Sequence, residues 1–91
     1  METQIKPKLT YCEKLILLYL LDSKLRYGED AVWLNELYRV FWDLRCLLRL
    51  ERAGLVKIFP IFCSSTKRFR HYAQLTHEGE EVAKEIYQSL I

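Results

Sequence analysis

Arginine bonds phosphate readily and can grip the O6 and N7 edge of guanine with both arms of its guanidinium. In this chain it recurs at Arg45, Arg49 and Arg52. On a helix, at ~100° per residue, these three fall within an arc of roughly 60°. Trp42 borders one side of that arc, and Phe41 and Leu48 the other. Leu44, Cys46, Leu47 and Leu50 point elsewhere. A narrow arginine stripe on an otherwise apolar helix suits a major groove. The plain alternative is a solvated stripe that keeps the helix soluble. In either case the three arginines are expected to be exposed, and replacing them should hardly change stability.

A second basic group follows. Lys67, Arg68, Arg70 and His71 stand just after Ser64, Ser65 and Thr66, whose hydroxyls can donate to phosphate oxygens. From Leu44 to Leu75 there are seven bases and one acid, a net +6. The rest of the chain has seven bases and eleven acids, a net −4, and the whole is +2. A basic block inside an otherwise acidic chain suggests a polyanionic partner, with a solvated basic face as the alternative.

Other chemistries find little support. There is no glycine-rich phosphate loop, no Ser/His/Asp pattern and no pair of carboxylates in an apolar setting, and only three glycines occur. An enzyme is not expected. The cysteines, Cys12, Cys46 and Cys63, are odd in number and form no Cys-x-x-Cys pair. That argues against both a disulfide framework and a zinc finger. His71 and His77 have no ligand-spaced partners, so no metal is expected; no cofactor is expected either, and no small-molecule ligand is identifiable from the sequence. A single Asn and three Gln hint at a thermophilic source. There, intracellular disulfides become available, including one through Cys12 between subunits, although a buried thiol is the simpler reading. The longest apolar run, Leu15 to Leu21, has seven residues, against the ~20 needed to span a bilayer. The N-terminal METQIKPK does not resemble a signal peptide. The expectation is a cytoplasmic protein without a membrane partner, in the host cytoplasm if the source is viral.

These residues must be held by elements, and one domain is expected over residues 10–91 after a loose tail at 1–9. Thr10 and Glu13 form a capping box for a helix from Tyr11 to about Ser23, apolar nearly all round. Such a helix needs a central position or a partner subunit. Lys24 to Asp30 reads as a polar loop. A second helical segment lies within Val32 to Phe41, capped by Asp30 or Asn35. A third helix runs from about Trp42 to Ala53 and stops at Gly54. Val56–Phe62 and Phe69–Leu75 read as strands of a hairpin, with Pro60 requiring an edge or a bulge. Thr76 caps a last helix to about Leu90. The fold class is therefore α+β: three helices, a hairpin and a C-terminal helix. The first and last helices carry more apolar surface than 91 residues easily cover. A homodimer is expected, with Tyr11, Cys12, Val82, Ile86, Tyr87 and Leu90 at its interface.

Two stretches carry a family resemblance. "RLERAGLVKI" (Arg49 to Ile58) resembles the end of a recognition helix leading into the first strand of a wing. "YAQLTHEGEEV" (Tyr72 to Val82) resembles the L-T-x-x-G step from the second wing strand into a C-terminal helix. Together they are similar to winged helix-turn-helix regulators of the MarR and PadR families. The small size also resembles stand-alone winged-helix proteins of hyperthermophilic archaea and their viruses. The resemblance implies sequence-specific binding of double-stranded DNA by a homodimeric transcription regulator. Trp42, Arg45, Arg49 and Arg52 would then lie in the major groove. Ser65, Thr66, Lys67, Arg68 and Arg70 would follow the backbone or minor groove. The alternative is a winged-helix protein-interaction module, favoured by the apolar hairpin residues Phe59, Ile61, Phe62 and Phe69. One departure stands out. The spacing from Leu37 to Leu47 is shorter than in such families, so the turn between the second and third helices must be very tight or the two must partly merge.

Overall fold

A computed structural model of the protein describes residues 8–90. The elements are α1 (Tyr11–Tyr27), β1 (Val32–Trp33), α2 (Leu34–Phe41), α3 (Arg45–Arg52), β2 (Val56–Cys63), β3 (Arg68–Leu75) and α4 (His77–Ser89). The strands form an antiparallel sheet in the order β1-β3-β2. Among the described residues the class is α+β, as expected, with four helices and, at the head of the second expected segment, one short additional strand. Of the expected tail only residues 8 and 9 are described, and Leu9 packs against the core.

α1 begins where the capping box puts it. Thr10 Oγ1 accepts the Glu13 N–H at 3.2 Å, and Glu13 Oε1 accepts the Thr10 N–H at 2.9 Å. The helix runs one turn beyond the expected Ser23. It ends at Gly28, which takes a left-handed φ of 70°. Lys24 and Arg26 suit that last turn because cations favour a helix C-terminus. Lys24 also reaches Glu80 of α4 at 2.7 Å. Of the two ways to cover an all-round apolar helix, the chain uses a central position. Ile16, Leu17, Leu20 and Leu21 are buried, and α1 packs on α2, α3, α4 and β3.

β1 was hidden in the sequence because it is only two residues long and runs directly into α2. It is fixed by pairing Val32 with Ala73 and Trp33 with Tyr72. Trp33 therefore becomes the N-cap residue of α2, with no side-chain cap bond, in place of the expected Asp30 or Asn35. α2 ends at Trp42, whose φ of 66° is left-handed. The third helix accordingly starts at Arg45 and not at Trp42. Between them lies a turn of three residues, Trp42, Asp43 and Leu44, as tight as the short Leu37–Leu47 spacing demands. Asp43 Oδ1 stabilises it by accepting the Arg45 N–H at 2.9 Å.

α3 closes with a full glycine stop. The Leu55 N–H bonds Leu50 O and the Gly54 N–H bonds Glu51 O, both at 3.0 Å, while Gly54 takes a φ of 79°. β2 and β3 are continuous from Val56↔Leu75 to Cys63↔Arg68. Pro60 lies opposite His71 without a bulge, because β2 is an edge strand. Ser64 to Lys67 make the turn, with Lys67 left-handed at φ 55°. The distal half of the hairpin is exposed on both faces.

The α3–β2 and β3–α4 junctions interlock. The Thr76 hydroxyl donates to Gly54 O at 2.6 Å and accepts the Gly79 N–H at 3.0 Å. The Thr76 N–H donates to Leu55 O at 3.0 Å. Gly79 is buried against that same carbonyl, and a Cβ there would lie 1.8 Å from Leu55 O. In an exposed helix, alanine in place of glycine would stabilise by about 1 kcal/mol. Here Gly79→Ala is expected to destabilise the fold by about 2 kcal/mol or more. Thermal unfolding should show Tm falling by roughly 8–16 °C; an unchanged or raised Tm would refute the close approach.

Candidate nucleic-acid interface

On α3 the core takes Cys46, Leu47 and Leu50. That leaves Arg45, Leu48, Arg49, Glu51 and Arg52 exposed, with the three arginines and Leu48 in one stripe at helical spacing and Glu51 outside it. The three arginines differ in what they touch. Arg45 forks onto Asp43, with Nη2–Oδ2 at 2.8 Å and Nε–Oδ2 at 3.0 Å, and its side chain is 81% exposed. An ion pair so open to water adds little stability and exchanges easily for another anion. Arg52 is exposed and has no acidic partner among the described residues.

Arg49 is different. Its Nε donates to Glu13 Oε2 at 2.7 Å and its Nη2 to Cys46 Sγ at 3.1 Å. Glu13 is buried at 5% exposure in the first turn of α1. Burial alone would push its carboxyl up. The Thr10 N–H and the Arg49 guanidinium outweigh burial and hold it below the usual carboxylate range. The expectation of a freely replaceable stripe therefore fails at Arg49, which clamps α3 to α1. Beside this clamp, burial and the neighbouring Cys46 push the Cys12 thiol up to about 11. Cys12, Cys46 and Cys63 are all free thiols.

At the hairpin end, Ser65, Thr66, Lys67 and Arg68 are exposed. Lys67 and Arg68 have no acidic partner among the described residues. Just behind, Cys63 Sγ lies 3.2 Å from Ser65 Oγ. Hydrogen bonds from Ser65 and Thr66 draw that thiol down to about 6. Arg70 is turned aside from the tip. Its guanidinium lies over the Trp33 ring, 4.4 Å from the centroid. Trp42 is 78% exposed, in the α2–α3 turn and not on the helix expected to carry it.

A cleft of about 780 Å³ separates the hairpin from α2 and the α2–α3 turn. Trp33, Asn35 and Tyr38 line it together with Arg68, Phe69 and Arg70, and Arg70 touches Trp33. Among the described residues, no acidic one lines it. A second recess gathers Asp22, Glu29 and Glu36, with no base among the described residues that line it. Trp33 and Tyr38 were not singled out by the sequence, where they fall within the second helical segment, Val32 to Phe41. The cue was the Val-Trp pair, too short for any periodicity.

The residues expected at a dimer interface are not all free. α1 and α4 pack on each other, and Cys12, Val82 and Ile86 are partly covered by the chain's own core. Tyr11, Tyr87 and Leu90 remain exposed, the last two beside Leu18 and Leu25 in an apolar groove of about 490 Å³. Among the described residues no helix is long and apolar enough to cross a membrane, and no three His, Cys, Asp or Glu gather as metal ligands.

Arg49→Ala strands the Glu13 carboxylate and is expected to cost about 1–3 kcal/mol at neutral pH. In the wild type, the depressed Glu13 pKa contributes stability above the ordinary carboxylate range, lost as pH falls through the folded value. Arg49 acts only on the charged form, so the gap between variant and wild type should narrow from about pH 7 to about pH 4. Urea unfolding at the two pH values reads it, and a gap independent of pH would mean that the clamp is not electrostatic. Comparisons with protein-family models, curated proteins and solved structures give no match.

Proposed function

We propose that this chain is a winged helix-turn-helix protein that binds double-stranded DNA as a homodimer and regulates transcription. The observation that carries the reading is the division of the basic block. Part of it lies on the outward face of α3 and part on a projecting hairpin, with an acid-free cleft between the hairpin and the α2–α3 turn. The element order supports it: two helices joined by a three-residue turn, then a hairpin whose inner strand also pairs with β1. In this reading α3 enters the major groove, where Arg45 exchanges Asp43 for phosphate or guanine and Arg52 is already free. Arg49 positions the helix through Glu13. Lys67 and Arg68 bind the adjacent backbone, with hydroxyls of Ser65 and Thr66. A two-fold dimer through the exposed ends of α1 and α4 would place two α3 helices a fixed distance apart, on half-sites about one helical turn or a multiple apart.

A second reading is favoured by one feature. Ile61, Phe62 and Phe69 are exposed on the hairpin, which suits a protein-interaction module. A salt-dependent gel shift on random duplex DNA separates the two, because only a phosphate-binding surface loses affinity steeply with salt. Replacing Lys67 and Arg68 together with alanine should weaken binding to all sequences and reduce the salt slope by ~2, about one per lost phosphate contact. An unchanged slope would remove the hairpin tip from the interface. Light scattering at micromolar concentration should give twice the 11.0 kDa chain mass. A monomer mass would take away the geometric basis for paired half-sites.

A further inference from the structure

The cleft between α2 and the hairpin has a feature that duplex binding does not require. Tyr38 on its helical wall is 56% exposed and Phe69 on its hairpin wall 63%. Next to them stand Arg68, without an acidic partner among the described residues, and Arg70, held over Trp33. The absence of any acid from the lining makes the cleft a cation-rich groove with aromatic walls. A duplex offers phosphates but keeps the flat faces of its bases inside the stack. An unpaired strand offers both at once, and binding sites for it combine a basic track with aromatic platforms. The volume, about 780 Å³, falls within the span of roughly 300–1,000 Å³ typical of ligand sites.

We infer that this cleft holds an unpaired DNA strand, stacking a base on Tyr38 or Phe69 while Arg68 and Arg70 hold its phosphates. The inference rests on the nucleic-acid reading above and adds to it a form of DNA that α3 alone would not select. A strand opened or frayed beside a duplex site would then pass between the hairpin and α2.

The test is fluorescence anisotropy with a labelled oligothymidylate and with a duplex of equal length, both at low salt. Wild-type protein should bind both. Tyr38→Ala, Phe69→Ala or both should weaken binding of the single strand by about tenfold, and each should leave duplex binding within about twofold. Tyr38→Phe keeps the ring and should keep the affinity. Both side chains are exposed, so the variants should fold, and circular dichroism checks that they do. Unchanged single-strand affinity in both alanine variants, or duplex binding without single-strand binding, would overturn the inference and leave the duplex reading standing. No binding of either DNA by the wild type would overturn both. If thymidine monophosphate displaced the strand at equal concentration, the cleft would be a free-nucleotide site and the strand assignment would fall.

Discussion

The structure depends on one close approach, that of Gly79 to the carbonyl of Leu55. There the chain leaving α3 and the chain entering α4 lie in direct contact. Thr76 holds both, through Gly54 O and Leu55 O on one side and the Gly79 N–H on the other. This contact sets where β2 begins and where β3 ends, and hence the register of the hairpin. A side chain at either glycine would disturb it for a different reason. At Gly54 the backbone is left-handed, and at Gly79 there is no room. The two stretches that carry the family resemblance are therefore the two halves of a single joint.

The basic block divides into charges the fold uses and charges it leaves free. Arg49 neutralises a buried carboxylate and fixes α3 against α1. Arg70 lies on Trp33 and so joins the hairpin to the start of α2, yet it has no acidic partner among the described residues and lines the cleft. Arg45 is held loosely by Asp43. Arg52, Lys67 and Arg68 have no acid to satisfy them among the described residues. A solvated carboxylate releases its partner at small cost, whereas a buried one does not. The exposure of the partner, more than that of the arginine, separates a positioning residue from one available to a ligand.

The apolar surface is apportioned in a similar way. α1 lies centrally and receives α2, α3, α4 and β3 around it, so most of its apolar circumference is covered within one chain. Exposed apolar side chains include Tyr11 at one end of α1, Leu25 near the other beside Tyr87 and Leu90, Tyr38 and Trp42 on α2 and its turn, and the aromatic pair Phe62 and Phe69 on the hairpin. The pair forms an edge-to-face contact 5.3 Å between centroids, which partly shields each ring where the body no longer covers the sheet.

Local chemistry in the sequence determined much of this protein. The Thr10–Glu13 box, the Gly54 stop, the Thr76 cap and the two hairpin strands lie where residue type and spacing put them, since each depends on neighbours a few positions away. The outward stripe of α3 was legible for the same reason. Tertiary structure decided the rest. β1 exists because β3 offers it an edge, a pairing across some forty residues with no local signature. Trp42 leaves its expected helix because a three-residue turn must take a left-handed residue there. Arg49 became a clamp and not a free cation because Glu13, 36 residues earlier, was folded beneath it. The cleft arose only when α2 and the hairpin were brought to face each other. Each of these requires two distant segments to meet, and periodicity along one segment carries no information about the other.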